Sequence, residues 1–94
     1  MKQIAILGST GSIGRQALDV IKRHSDRLRA CALTANNQAD LLIEQAREFL
    51  PDRVVIARED LLDTVREGLK GLPIEVTSGA KALEEAAGMD QADI

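Results

Sequence analysis

Three evenly spaced glycines near the start of the chain are the residues best suited to chemistry. Gly8, Gly11 and Gly14 form the pattern G-x-x-G-x-x-G, with hydroxyl side chains between them. A loop of this kind offers backbone N–H groups to an anion, and a helix that begins there adds the positive end of its dipole. The glycine loop (residues 8–14) therefore predicts binding of a phosphate group, such as the pyrophosphate of a dinucleotide.

Each glycine has its own expected role in that loop. Gly8 lets the chain leave a strand in a tight turn, Gly11 lets the backbone approach the pyrophosphate, and Gly14 lets the new helix pack closely. The expected ligand contacts come from Gly8, Ser9, Thr10, Gly11, Ser12 and Ile13. The alternative interpretation is a glycine turn that only reverses the chain.

The glycine loop needs a strand before it and a helix after it. The apolar run at residues 4–7 predicts a short buried strand. Residues 12–24 have apolar positions at helical spacing, which predicts a helix that packs on the sheet. The inward face of that helix is expected to hold Ile13, Ala17, Val20, Ile21 and His24.

Strands and helices continue to alternate along the rest of the chain. Strands are predicted at 29–34, 54–56 and 74–76, and helices at 39–50, at 59–70 and, with Ser78 as its cap, through residues 82–87. Leu42, Ala46, Phe49 and Leu50 are expected to face inward. The alternation predicts an α/β fold with a Rossmann-like, doubly wound and mostly parallel sheet, incomplete at its carboxyl end. The expected strand order is 4-3-2-1, with the first strand unpaired on its other side.

The segment around the glycine loop resembles a known family. Residues 2–14, KQIAILGSTGSIG, and residues 17–21, ALDVI, closely resemble the start of the 1-deoxy-D-xylulose 5-phosphate reductoisomerases. A looser likeness runs through residues 32–37, 49–51 and 76–79.

The resemblance implies a cofactor domain of a larger enzyme. Residues 1–94 would be the N-terminal part of an NADPH-binding domain, inactive alone, with the catalytic and C-terminal domains outside this chain. The complete enzyme would convert 1-deoxy-D-xylulose 5-phosphate, a small phosphorylated sugar, to 2-C-methyl-D-erythritol 4-phosphate in non-mevalonate isoprenoid biosynthesis. It would use NADPH and Mg²⁺ or Mn²⁺, with the metal ligands beyond Ile94. We also expect the complete enzyme to be a homodimer.

The loop after the second strand is expected to meet the adenosine half of the dinucleotide. This asparagine loop holds Asn36, Asn37 and Gln38, and it lacks the acid that an NAD-preferring site places there. The family resemblance implies glycine, a basic or small polar residue, and then asparagine at these positions. The chain departs from that pattern at its first and third residues, so asparagine amides or nearby Arg58 are the candidates to contact a 2′-phosphate. Ordinary turn chemistry is the alternative.

The acidic residues of the chain suggest no catalytic or metal site. They are spread over helix faces and turns without the spacing of metal ligands, so we name no catalytic and no metal-binding residue. Cys31 falls in a predicted buried strand, which favours a small core residue over a reactive thiol.

Composition excludes several functional classes. The chain has 94 residues, 45% of them hydrophobic and 29% charged, as expected for one small globular domain. Its 12 basic and 15 acidic residues give a net charge of -3 without a basic block, and Phe49 is the sole aromatic residue. Nucleic-acid binding is therefore not expected. No segment resembles a signal peptide or a membrane span, so we expect no membrane partner and a cytoplasmic location.

Three other interpretations stay open on the residues alone. The chain could be the cofactor domain of another NADP-dependent reductase, such as a semialdehyde dehydrogenase. It could be a dinucleotide-binding module without chemistry of its own. It could also be a flavodoxin-like α/β domain that binds no dinucleotide, although the glycine loop disfavours this.

Overall fold

The protein consists of a parallel β-sheet with helices packed against it. The computed structural model describes residues 2–79, 82 and 92–93. Within these residues the strands are β1 (Lys2–Ile6), β2 (Leu28–Ala35), β3 (Arg53–Ile56), β4 (Glu75–Ser78) and β5 (Ala92–Asp93). The helices are α1 (Ser12–Arg23), α2 (Ala39–Phe49) and α3 (Leu62–Gly68), with a 3-10 turn at Glu59–Leu61 before α3.

The strand order is β4-β3-β2-β1-β5, and every paired strand is parallel. The predicted α/β, Rossmann-like fold and the order 4-3-2-1 are thereby confirmed. The expectation that the first strand has an unpaired side is wrong, because Ile4 and Ala5 pair with Ala92 and Asp93. Two residues of β5 are enough to give β1 a neighbour on both sides, so β1 is a central strand.

One face of the sheet carries the main core. Ile6 of β1, Leu33 of β2 and Ile56 of β3 are fully buried beneath the helices. The helices contribute Leu18, Ile21, Leu42, Ala46 and Val65 to the same cluster. The opposite face is built from small side chains, including Ala5, Cys31 and Ala32. Cys31 is buried there as a small core residue, in agreement with the expectation from the sequence.

A bulge in β2 sets which of its residues face the helices. Ile4 pairs with Ala30, but the next residue, Ala5, pairs with Ala32, so β2 has one extra residue at Cys31. In a regular strand, residues three apart point to opposite faces. Because of the bulge, Ala30 and Leu33 both contribute to the helix-covered core.

The inward faces of α1 and α2 differ from the predicted ones. Ile13 and Val20 are 72% and 46% exposed, His24 is exposed as well, and Leu18 is buried instead. The physical reason is that α1 packs on the sheet through its buried residues Gly14, Ala17, Leu18 and Ile21. This row of contacts begins at Gly14, where the helix backbone lies nearest to the preceding loop. In α2, Leu50 is 50% exposed because it ends the helix in the left-handed conformation, with φ of 49°.

The remaining helices are short. The segment predicted at 59–70 is divided into the 3-10 turn and α3. Ser78, the expected cap of the last predicted helix, is the final residue of β4, and Ala82 is helical and packs on Val55. The rest of that helix lies outside the described residues. Of the helices that the structure describes, none has the length and apolar character needed to cross a membrane.

An ion pair links the strands of the sheet at their amino-terminal ends. The Arg29 guanidinium donates to both Asp52 carboxylate oxygens, at 2.9 and 3.1 Å, and to the Leu50 carbonyl at 3.0 Å. A further bond to the Gln3 side chain joins β1 to this cluster. The hydrogen bonds from Arg29 lower the pKa of the Asp52 carboxyl, and the same bonds raise the pKa of Arg29.

Asp52→Asn is expected to make the free energy of unfolding depend less on pH in the acid range. Because the folded pKa of Asp52 is lowered, its ionised form stabilises the fold above the unfolded pKa of about 3.9. This contribution is lost as the pH falls through the folded pKa. Asp52 is exposed and Arg29 is half-buried, so solvent screens the pair and the effect should stay at or below about 1 kcal/mol. Urea unfolding between about pH 5 and pH 2 measures it.

Asp26→Asn provides the matched control. The Asp26 carboxylate lies 3.9 Å from Arg27, and both side chains are exposed. This variant should follow the pH profile of the parent. An Asp52→Asn variant that kept the parent's acid dependence would show that the pair does not contribute.

Candidate cofactor-binding site

The glycine loop begins with a residue that needs glycine for its backbone conformation. Gly8 has φ of +75°, in the left-handed region that other residues rarely adopt. A Cβ added there would meet no atom within 4 Å, so conformation and not space requires glycine. The Gly11 N–H donates to the Gly8 carbonyl at 3.0 Å, which closes the turn just before α1.

Gly14 is required by space. A Cβ at this position would lie 2.2 Å from the Gly8 carbonyl oxygen and 2.6 Å from Ser9 Cα. Helix α1 can therefore lie against the loop backbone only with glycine here, which agrees with the predicted packing role. A Cβ at Gly11, by contrast, would meet only the Gly8 oxygen at 3.4 Å. The fold itself accepts a side chain at Gly11, so its expected approach to a pyrophosphate stays a prediction.

Thr34, near the end of β2, holds the start of the glycine loop. Its hydroxyl accepts a hydrogen bond from the Gly8 N–H at 2.8 Å. Its carbonyl accepts one from the Ser9 N–H, also at 2.8 Å. Thr34 is not among the residues predicted from the sequence, although its position at the carboxyl end of the neighbouring strand is a usable signal.

Gln45 of α2 holds the same loop from inside the protein. The Ser9 hydroxyl donates to Gln45 Oε1 at 2.7 Å, and Gln45 Nε2 donates to the Ser9 carbonyl at 2.8 Å. Both residues are buried. The Ser9 hydroxyl is thus engaged within the fold, and its predicted contact with a cofactor stays a prediction. In the sequence, Gln45 is only one more polar residue of an amphipathic helix.

A cleft of about 520 Å³ lies over the carboxyl ends of β1 and β2. It brings together the two segments that the sequence selected, since six of the predicted residues line it: Gly8, Thr10, Gly11, Asn36, Asn37 and Gln38. Leu7, Thr34 and Ala35 complete the lining. Ser12 and Ile13 are exposed in the first turn of α1 and are not among the lining residues. Their contact with a ligand also stays a prediction.

The electrostatics of the cleft suit an anion at the start of α1. None of the nine lining residues carries a charge. The first turn of α1 contains no acidic residue, so its N–H groups and the positive end of its dipole are not opposed there. At the start of α2 the situation differs, because Asp40 lies in the first turn. The anion preference is therefore strongest beside Gly11.

The described residues do not fit a metal ion. Among residues 2–79 and 82, no three His, Cys, Asp or Glu side chains are grouped so that they could hold one. The metal ligands of the implied enzyme are still expected outside this chain.

Comparison with known proteins establishes the family. Residues 4–94 match the family model described as 1-deoxy-D-xylulose 5-phosphate reductoisomerase. The chain belongs to this reductoisomerase family. The family resemblance stated from the glycine loop is thus confirmed, and the flavodoxin-like and semialdehyde dehydrogenase interpretations are set aside.

Curated members of the reductoisomerase family are much longer than this chain. The reductoisomerase of Phocaeicola vulgatus is 55% identical over 93 residues, which are 99% of this chain and 24% of that protein. The reductoisomerase of Bacteroides fragilis is 58% identical over 82 residues, or 87% of this chain and 21% of that protein. The chain thus spans about a quarter of the length of these relatives.

Solved reductoisomerases share the fold. The Zymomonas mobilis enzyme, solved in complex with NADPH, has a TM-score of 0.92 and 41% identity, covering 96% of this chain and 24% of that one. A second reductoisomerase was solved with NADPH, fosmidomycin and magnesium. It has a TM-score of 0.90 and 34% identity, covering 99% of this chain and 23% of that one.

Gly14→Ala is expected to destabilise the protein by about 3 kcal/mol, at the upper end of the cost of overpacking. The new methyl group would overlap the backbone of Gly8 and Ser9, which cannot move aside as a flexible side chain could. Gly11→Ala is the matched control and should cost less than about 1 kcal/mol, since its methyl group fits. Denaturant unfolding compares the two. Equal losses would contradict the assigned packing role.

Gln45→Met is expected to cost about 2 kcal/mol, because it removes two buried hydrogen bonds to Ser9. Combined with Ser9→Ala, it should show a coupling energy of at least about 0.5 kcal/mol in a double-mutant cycle. Gln16→Met on the exposed side of α1 is the control and should change stability by less than about 0.5 kcal/mol. Additive effects of the two substitutions would show that the hydrogen bonds between Ser9 and Gln45 do not stabilise the loop.

Proposed function

We propose that this chain forms the NADPH-binding part of a 1-deoxy-D-xylulose 5-phosphate reductoisomerase. The observation that carries this proposal is the cleft in which the glycine loop and the asparagine loop line one space above β1 and β2. The first loop suits a pyrophosphate and the second suits an adenosine ribose, so together they suit one dinucleotide. A relative with the same fold was solved with NADPH, which supports the choice of cofactor.

The residues of the cleft fit such a cofactor. Gly11 leaves the backbone accessible, Thr10 contributes a hydroxyl, and the exposed amides of the asparagine loop can donate to the ribose and its phosphate. When bound, NADPH supplies the hydride of the reduction. Thr34 and Gln45 keep the glycine loop in place for it through their hydrogen bonds to residues 8 and 9.

The complete reaction needs more chain than the described residues supply. In our proposal the full-length protein rearranges 1-deoxy-D-xylulose 5-phosphate and reduces it to 2-C-methyl-D-erythritol 4-phosphate, for isoprenoid biosynthesis. Mg²⁺ or Mn²⁺ would polarise the substrate oxygens, held by ligands outside this chain. We further propose a cytoplasmic homodimer, in which residues 1–94 are the N-terminal part of the cofactor domain and are inactive alone.

Gly11→Ala is expected to abolish NADPH binding, because its methyl group would occupy the space of the pyrophosphate. The experiment is a calorimetric titration with NADPH of the full-length reductoisomerase that carries these residues. Turnover of 1-deoxy-D-xylulose 5-phosphate should be lost in parallel.

Thermal unfolding without cofactor is the control for this variant. It should differ little from the parent, since the Gly11 methyl group makes only ordinary contact within the fold. A folded Gly11→Ala protein that bound NADPH as well as the parent would refute the role of the loop. A parent enzyme that did not reduce the substrate with NADPH would refute the proposed function.

A further inference from the structure

The cleft lacks a positive charge for the group that distinguishes NADPH from NADH. The 2′-phosphate carries about two negative charges at neutral pH, as phosphate monoesters do. All nine lining residues are uncharged, including the three of the asparagine loop where the ribose is expected. Amide groups can donate hydrogen bonds to this phosphate, but they cannot neutralise it. A basic residue close to the asparagine loop would complete the site.

Arg58 is joined to the asparagine loop by its backbone. Strand β3 pairs with β2 up to Ile56 opposite Ala35. The pairing continues beyond the strands, since Ala57 N–H donates to the Ala35 carbonyl at 2.8 Å and Arg58 N–H to the Asn36 carbonyl at 3.1 Å. The Arg58 side chain therefore starts directly beside the first residue of the asparagine loop.

The Arg58 guanidinium lies at the surface, where a phosphate could replace its present partner. It donates to both carboxylate oxygens of Asp60, at 3.1 and 2.6 Å. The two side chains are 57% and 61% exposed. Water screens an ion pair at the surface, although the bidentate geometry makes this pair stronger than most exposed pairs. A phosphate offers the same planar guanidinium a doubly charged partner with matching geometry.

Three other arginines form their contacts away from the asparagine loop. Arg29 and Arg53 form ion pairs at the amino edge of the sheet, with Asp52 and Glu75. Arg47 of α2 donates to the Gly68 carbonyl of α3. Within residues 2–79, Arg58 is the basic residue whose backbone bonds to the asparagine loop.

We propose that Arg58 is a specificity-determining residue that pairs with the 2′-phosphate of NADPH, supplying the positive charge that the asparagine loop lacks. This inference rests on the proposed NADPH-binding function. Asp60 holds the guanidinium when no phosphate is present, and it competes with the phosphate for the same donors. The two residues therefore act on cofactor affinity in opposite directions.

The test is a pair of titrations, with NADPH and with NADH, of the full-length reductoisomerase that carries these residues. Arg58→Ala should weaken NADPH binding about tenfold or more, as expected for the loss of charge-assisted hydrogen bonds, and should leave NADH binding unchanged. Asp60→Asn should strengthen NADPH binding, by about threefold, and also leave NADH unchanged. Arg53→Ala is the matched control at the far end of β3, where it should alter neither Kd.

Distinct outcomes overturn the assignment. If Arg58→Ala keeps the parent's preference for NADPH over NADH, neutral donors hold the 2′-phosphate and Arg58 does not. If both cofactors weaken equally, Arg58 acts through the structure and not through the phosphate. A parent protein that binds neither cofactor overturns the proposed function itself, and this assignment with it.

Discussion

The close approach of α1 to the backbone of the glycine loop is the constraint on which the site depends. Gly14 lies so near the Gly8 carbonyl and Ser9 Cα that even a methyl group has no room. This contact fixes where α1 begins, and therefore where the positive end of its dipole points. The anion preference beside Gly11 is a consequence of how the helix packs, since the cleft itself contains no charged side chain.

Hydrogen bonds from two neighbouring elements make the cleft a single unit. Thr34 of β2 holds Gly8 and Ser9, and its own chain continues directly into the asparagine loop. Gln45 of α2, the helix that follows this loop, holds Ser9 from inside. The glycine loop and the asparagine loop, which form the two walls of the cleft, are thus connected through Thr34 and Gln45. Their relative positions are set by protein contacts before any cofactor binds.

The sequence predicted what local patterns determine, and it failed where tertiary contacts decide. The glycine spacing and the alternation of apolar runs were sufficient for the fold, the strand order and six residues of the cleft. The prediction for the inward face of α1 was wrong at Ile13 and Val20. The helix packs closely at Gly14, so a different side of it faces the sheet. Thr34 and Gln45 were missed since their roles depend on partners that are 25 or more residues away.

The extra residue at Cys31 has a consequence for the length of β2. The bulge takes up this residue, so that Leu33 faces the helices and Thr34 reaches the glycine loop as they would in a regular strand that is one residue shorter. Without Cys31, Ala30 and Leu33 would be two residues apart and would still share the helix-covered face. A change of one residue in the length of β2 can therefore be absorbed at this point without turning Thr34 away from the glycine loop.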